Sequence, residues 1–431
     1  MLKKIYYEGN IDSIFEKLDR RKEGINKKVE RTVEDILEDV RKNGDMALIK
    51  YAEMFDGFKI NNMNDVLVSK EELEEGAKAA GENFLRILIR AKEQIIEFHK
   101  NQIGKSWKIN KANGVVMGQI LTPLKRVAVY VPGGTAIYPS TVLMNVIPAK
   151  LAGVEEIVMI TPVKEDGKVP DVILAATKVC EIDTIYKVGG AQAIGAVAYG
   201  TETIKKVDKI IGPGNIYVAT AKKLVYGMVD IDMTAGPSEI LVIADKTANP
   251  KYIAADLMSQ AEHDKLSSSI LITTEEVLAD EVNKEIMIQI AYLKRKEIIE
   301  ESLKNFGASI IVKTLDEAFN ISNEIAPEHI EILTQNPISQ LSKVRNAGSI
   351  FLGENSPEPL GDYMSGTNHV LPTSGTAKFY SALGVYDFIK YSSYSYYPKD
   401  ALETFKDDVL DFANLEGLDA HANSIKVRFE D

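Results

Sequence analysis

Between residues 127 and 352 the chain repeats one local pattern: a short aliphatic run, a turn containing glycine or polar residues, then a stretch with helical spacing. Strand candidates fall at 127–130, 157–160, 184–188 and 209–211, with helical segments beginning near Thr141, Asp171, Ala191 and Tyr217. A second series falls at 240–243, 269–273, 309–312, 329–333 and 349–352, again with helices between, including one from Pro250 to about His263. Short strands that alternate with helices are joined by crossovers, and crossovers impose parallel pairing with helices on the sheet faces. The fold class that follows is α/β with doubly wound sheets.

Two such series predict two open, Rossmann-like domains, with small helical segments at the N- and C-terminal ends. Residues 1–25 are polar and weakly patterned and read as an arm. Apolar residues recur at helical spacing over 29–55 and 71–98, which predicts two long amphipathic helices as a preface to the sheets. The predicted division is an arm at 1–25, a discontinuous first domain at 26–129 and 240–383 that includes the preface, a second domain at 130–239, and a C-terminal segment at 384–431. Residues 353–377, rich in Gly, Pro, Ser and Thr, read as loop, and the aromatic run at 391–397 leads into a final helical piece. Two open sheets side by side leave a cleft at the carboxyl ends of their strands.

A length of 431 residues predicts more than one compact unit, and 45% hydrophobic with 26% charged residues is the composition of a globular protein. The net charge of −12, without a basic run interleaved with aromatics, argues against nucleic acid as a partner. No stretch has the length and apolarity of a signal peptide or a membrane span, so a cytoplasmic location is expected. Cys180 is the only cysteine, which excludes an internal disulfide and any multi-thiolate metal site within one chain. It ends a helical run, Ala175-Ala176-Thr177-Lys178-Val179-Cys180, and reads as a small buried hydrophobe rather than a nucleophile.

Four of the five histidines sit beside carboxylates or amides: Gln260-Ala261-Glu262-His263-Asp264, Pro327-Glu328-His329, Asp362 with His369, and Glu416 with Asp419 and His421. Imidazole is the commonest metal ligand and exchanges a proton near neutrality, so this grouping points to a metal and acid/base site. Gln260 and His263, three apart on a helix, share a face and can hold one cation, although a solvated helix face presents the same spacing. Glu328 and His329 open a strand and can serve different protons. His99 reads as an exposed surface residue. The three-glycine dinucleotide fingerprint is absent. In its place Tyr130-Val131-Pro132-Gly133-Gly134, Gly189-Gly190-Ala191-Gln192 and Gly212-Pro213-Gly214-Asn215 each follow a strand candidate and precede a helix, where backbone amides can meet a polar or anionic ligand.

Taken in order, these turns, with Ala235-Gly236-Pro237-Ser238-Glu239, Ser259-Gln260-Ala261-Glu262-His263, Ala326-Pro327-Glu328-His329 and Glu416-Gly417-Leu418-Asp419-Ala420-His421, resemble histidinol dehydrogenases over nearly the whole chain. The resemblance implies NAD-dependent, four-electron oxidation of L-histidinol to L-histidine by way of L-histidinal. It implies one zinc per subunit held by Gln260, His263, Asp362 and His421, with Ser238, His329 and Glu416 joining these four around the substrate. NAD would lie on the 130–239 domain, touching Tyr130, Gln192 and Asn215. His329 would be the general base and Glu328 would activate water, while His369 would support proton movement. It further implies a homodimer in which segment 384–431 is exchanged, so that Glu416 and His421 complete the partner's site. Rival readings are a paralogue acting on another small alcohol, such as a sulfonated diol, a zinc hydrolase using Glu328, and a catalytically silent binding protein. The presence of Glu416 and His421 and the three strand-end glycine turns favour histidinol and NAD.

Overall fold

The computed structural model describes residues 1–20, 27–133, 138–233 and 236–430, so Gly134 and Ala235 of the motifs above and the end of the expected arm lie outside the described residues. The chain divides into two compact units, one of Met1–Gln102 with Leu124–Phe388 and one of Ile103–Pro123 with Ile389–Asp431. Among the described residues no helix is long and apolar enough to cross a membrane.

The larger unit contains both expected parallel sheets. One has five strands in the order Thr184–Tyr186, Glu156–Ile160, Arg126–Tyr130, Lys209–Ile211, Asp230–Ile231. The other has six, in the order Lys3–Tyr6, Gly307–Ile311, Ser268–Thr273, Glu239–Ala244, His329–Leu333, Ser349–Leu352. All pairings in both are parallel. The central strands Arg126–Tyr130, Glu239–Ala244 and His329–Leu333 are buried along their whole length, as strands covered on both faces must be. Two apolar layers enclose the six-stranded sheet. One gathers Val242, Leu257, Leu271 and Val282, and the other Leu241, Ile270, Phe319 and Ile330.

Several expectations are corrected. The N-terminal residues are no free arm: Lys3–Tyr6 is the edge strand of the six-stranded sheet, with Leu2 in one apolar layer and Ile11 and Ile14 in the other. An edge strand needs few apolar residues, which is why its sequence looked uncommitted. The second long helix is two, Lys70–Ala79 and Glu82–His99, broken where Gly81 takes φ 90°. The preface packs on the helices of the five-stranded sheet, not within a 26–129 and 240–383 domain. Lys27–Tyr51 lies on Gly190–Tyr199 and Ile216–Val225, Lys70–Ala79 lies on Asp171–Val179, and Glu82–His99 lies on Pro139–Ala152. Small residues permit this approach. A Cβ at Gly195 would stand 3.3 Å from Val40. The boundary drawn between 129 and 130 cuts the strand Arg126–Tyr130.

His99 is fully buried, not exposed. It continues the stripe of Leu88, Ala91 and Ile95 on its helix, so spacing placed it in the core despite its polar neighbours. Its Nδ1 lies 2.9 Å from Gln102 Oε1, and burial lowers its pKa. Cys180 is buried as expected, its thiol pushed up to about 12 by desolvation.

The smaller unit is an antiparallel sheet of Ile389–Tyr396, Val116–Pro123 and Trp107–Asn110, followed by helices Lys399–Glu403, Lys406–Leu415 and Asp419–Lys426. The aromatic run is therefore a strand. Tyr394 sits opposite Gly118, where a Cβ would lie 2.3 Å from Trp107 O and 2.7 Å from Tyr394 Oη.

Candidate active site

The first residue of the buried strand His329–Leu333, the residue before it, and the residue before the buried strand Glu239–Ala244 make the centre of a pocket of about 230 Å³ in the larger unit. Ser238, Gln260, His263, Glu328, His329, Asp362 and His369 all line it. Glu328 and Glu239 grip each other across adjacent strands. Glu239 N donates to Glu328 Oε2 at 2.8 Å, and Glu328 N donates to Glu239 Oε2 at 3.3 Å. His329 Nδ1 lies 2.9 Å from Glu239 O, a carbonyl that can only accept, so Nδ1 carries the proton and Nε2 keeps its lone pair. Burial, against the pull of Asp362 and the Glu239 carbonyl, lowers the imidazole pKa to about 4. His329 is thus a neutral base of fixed tautomer. Burial, and next the neighbouring Glu239 carboxyl, push Glu328 well above the usual carboxylate range.

Gln260 is on the last turn of helix Pro250–Ala261, and His263 follows two residues after its end. Gln260 is 1% exposed, and its Oε1 has no hydrogen-bond partner among the described residues. A buried amide oxygen without a donor fits a cation. Burial also lowers His263, which keeps the imidazole neutral and able to ligate. Asp362 lies on helix Glu358–Tyr363, inside the stretch expected to be loop. Burial pushes its carboxyl up, but His369, with Nδ1 3.6 Å from Oδ1, and the imidazoles of His329 and His263 bring it below the ordinary value. The nitrogen and oxygen donors of this set match the chemistry of a catalytic zinc site.

Sequence reasoning missed Glu358. It is 1% exposed, its Oε1 lies 3.5 Å from His329 Nε2, and burial, then Asp362, raise it to about 8. His329, Glu358 and Asp362 place one ligand atom each within 4.8 Å of one another, a group that shares only Asp362 with the expected zinc ligands. The signal was the i, i+4 spacing of Glu358 and Asp362, hidden by two prolines and a glycine. Also missed were Lys222 and Asp232, a buried ion pair on this pocket. Lys222 Nζ donates to Gly212 O at 2.9 Å and Asp232 Oδ2 accepts from Gly212 N at 2.8 Å, fixing that turn.

One expectation is reversed in part. The pocket lies at the carboxyl end of the strand Lys209–Ile211 through Gly212 and Pro213. In the six-stranded sheet, however, it lies at the amino ends, where Glu239 and His329 begin their strands.

A larger cleft of about 590 Å³ is lined by Tyr130, Gln192 and Asn215 together with Gly133, Pro162 and Gly190. Tyr130 Oη accepts from Gly190 N at 3.2 Å, and Asn215 Oδ1 caps helix Ile216–Val225 through Tyr217 N and Val218 N. Gln192 is buried with Oε1 unpaired among the described residues, an orphan atom that suits a polar ligand. Close approach needs the glycines: a Cβ at Gly189 would stand 2.3 Å from Pro162 Cβ. Glu416 and His421 belong to the smaller unit. Glu416 ends helix Lys406–Leu415, His421 lies in Asp419–Lys426, and both are exposed.

Residues 19–429 match the family model described as histidinol dehydrogenase. The histidinol dehydrogenase of Lactococcus lactis subsp. lactis is 64% identical over the full length of both chains. The chain belongs to the histidinol dehydrogenase family. A second histidinol dehydrogenase, from Clostridium acetobutylicum, is 55% identical over 99% of each chain. The crystal structure of histidinol dehydrogenase from Elizabethkingia anophelis superposes with a TM-score of 0.93 at 37% identity, covering 100% of this chain and 98% of that one. As a histidinol dehydrogenase the protein is an oxidoreductase, acting in histidine biosynthesis.

Proposed function

We propose that this histidinol dehydrogenase converts L-histidinol to L-histidine through L-histidinal in the cytoplasm, as a zinc-dependent homodimer using NAD. The observation that carries the reading is the state of His329: its Nδ1 is tied to Glu239 O, it is buried and neutral, and it stands among Gln260, His263 and Asp362. Zinc bound by Gln260, His263, Asp362 and His421 would supply a grip on the substrate's imidazole and amino nitrogens, and NAD against Tyr130, Gln192 and Asn215 would supply hydride acceptance.

The chain's own groups then divide the proton work. His329 Nε2 takes the hydroxyl proton as the first hydride leaves. Glu328, whose burial makes its carboxylate a stronger base than usual, takes a proton from the water that adds to the aldehyde. His369 holds Asp362 in place and passes protons outward. Ser238 and Glu416 add polar contacts to the substrate. Oxidation of an alcohol to a carboxylate removes two hydrides and takes up one water, so two NAD are consumed. Exposed apolar residues of the smaller unit, including Phe412, Leu415 and Leu418 beside Glu416, support an exchanged dimer in which Glu416 and His421 complete the partner's pocket.

The test is the number of NADH formed per histidinol by zinc-loaded protein, with Glu328→Gln in parallel. Two per substrate are expected, with the variant slowed about 100- to 10,000-fold, chiefly in the aldehyde step. One would mean an alcohol dehydrogenase that stops at the aldehyde. None would move the assignment to another alcohol.

A further inference from the structure

In dinucleotide-binding sheets the acid that reads the adenosine ribose ordinarily follows the second strand. Here the second strand of the five-stranded sheet, Glu156–Ile160, runs into Thr161-Pro162-Val163-Lys164, and Lys164 is exposed at the cleft's edge. The acid inside the cleft comes from outside the sheet. Asp56 ends the π-helical turn Ala52–Asp56 that follows the first long helix of the preface, and it lines the cleft with Thr32, Ile36 and Phe55. Phe55 is 51% exposed, backed by Tyr51 in a stack with ring centroids 5.4 Å apart, and offers its free face to the cleft.

The two pockets orient the ligand. Gly212 and Pro213 line the polar pocket while Asn215 of the same turn lines the cleft, so the nicotinamide end belongs at that turn. Ile36, Phe55 and Asp56 come from the preface and not from that turn, which assigns them to the adenosine end, where an aromatic face and an aliphatic side chain suit a purine. Asp56 is half-buried and has no ion-pair or hydrogen-bond partner among the described residues; desolvation alone raises it to about 6. The charged and titratable groups around it are Lys164 on the cleft edge, the Tyr130 hydroxyl and Glu165. A Cβ at Gly57 would lie 2.7 Å from the Glu165 Cγ, so that side chain packs against the residue that follows Asp56.

We propose that Asp56 selects NAD over NADP, accepting hydrogen bonds from the adenosine ribose hydroxyls and repelling a 2′-phosphate. The proposal rests on the reading of the cleft as the NAD site. A carboxylate that is desolvated and unpaired gains from two hydroxyl donors, and loses against a phosphate dianion at the same place.

The test is fluorescence titration with NADH and NADPH of the wild type and of Asp56→Asn, with Gln192→Ala as the reference variant. The wild type should bind NADH at least about 100-fold more tightly than NADPH, and Asp56→Asn should weaken NADH about tenfold while tightening NADPH. Opposite movements of the two affinities are not what loss of structure produces. If Gln192→Ala weakens both ligands and Asp56→Asn leaves their ratio unchanged, the role of Asp56 is overturned while the cleft stands. If neither variant weakens NADH, the cleft itself is not the coenzyme site and both readings fall.

Discussion

The cleft and the polar pocket of the larger unit are built from opposite ends of similar parts. Tyr130, Gly190 and Asn215 stand at carboxyl ends of strands and at the amino ends of helices Gly190–Tyr199 and Ile216–Val225. Glu239 and His329 stand at amino ends of strands, and Gln260 and His263 at the carboxyl end of helix Pro250–Ala261. Helix amino ends carry partial positive charge and carboxyl ends partial negative charge, each worth about 0.3–1 kcal/mol to a matching ion at the surface and up to about 2 kcal/mol when partly buried. The cleft therefore suits an anion such as a pyrophosphate, and the pocket suits a cation. Titratable side chains follow the same division. Carboxylates and imidazoles crowd the pocket as His263, Glu328, His329, Asp362 and His369, whereas Asp56 is the one carboxylate among the described residues of the cleft, which otherwise offers glycines, prolines, an orphan amide, two tyrosines and Lys164.

Metal removal should separate the two most sharply. Chelation, or the substitution His263→Asn, is expected to lower histidinol oxidation by about 1,000-fold or more, because the substrate loses its grip while the proton-transfer groups remain. NADH titration of the same samples should be unchanged, and zinc should restore activity to the chelated wild type alone. Loss of NADH binding along with the metal would show that the two sites are not separable.

The turn at Gly212 is where the comparison should fail by design, because it touches both. Gly212 has φ 104°, and a Cβ there would stand 2.1 Å from Tyr130 O, which is backbone and cannot move aside. Gly212→Ala should cost about 3 kcal/mol in urea unfolding, from left-handed strain and displacement of the turn, and should impair substrate and NADH binding together. A variant that loses one and keeps the other would mean that the Lys222 and Asp232 clamp isolates the pocket from the cleft.

How much of this was legible depended on how strongly each feature is written in local pattern. The nine strand candidates at 127–352 were readable because strands covered on both faces, such as Arg126–Tyr130 and Glu239–Ala244, must be apolar almost throughout, and the glycine turns because each sits between a strand and a helix; the two-residue edge strand Asp230–Ile231 was too short to read. Lys3–Tyr6 was not, since this edge strand has no fully buried residue and carries two lysines. Glu358 was masked because Pro357, Pro359 and Gly361 resemble a loop, yet proline is well placed in the first turn of a helix. His99 was misread from its neighbours when its i−4 and i−8 positions, Ile95 and Ala91, already showed the buried stripe. Which end of a sheet holds a site is also local information: Glu328 and His329 stand at the start of their run, and that placed them at its amino end. Asp56 had no pattern at all, since its meaning comes from the fold bringing the preface against the five-stranded sheet.

The smallest expected effect concerns pH and the cleft. Desolvation raises Asp56 from its ordinary value to about 6, so in the empty protein it is ionised above that pH and protonated below it. Hydrogen bonds from ribose hydroxyls favour the carboxylate, so ligand binding should draw its pKa down and release a proton when the experiment is run near pH 6. The sign follows: NADH affinity should be flat above about pH 7 and should weaken by a few-fold as pH falls through about 6 toward 5. Tyr130, held up to about 12 chiefly by burial, stays protonated throughout and contributes no slope. The measurement is the NADH dissociation constant from pH 5 to 8, compared between wild type and Asp56→Asn. A slope that survives in the variant would assign the proton to another group, and would blur the contrast between a cleft that binds through shape and a pocket that works through protons.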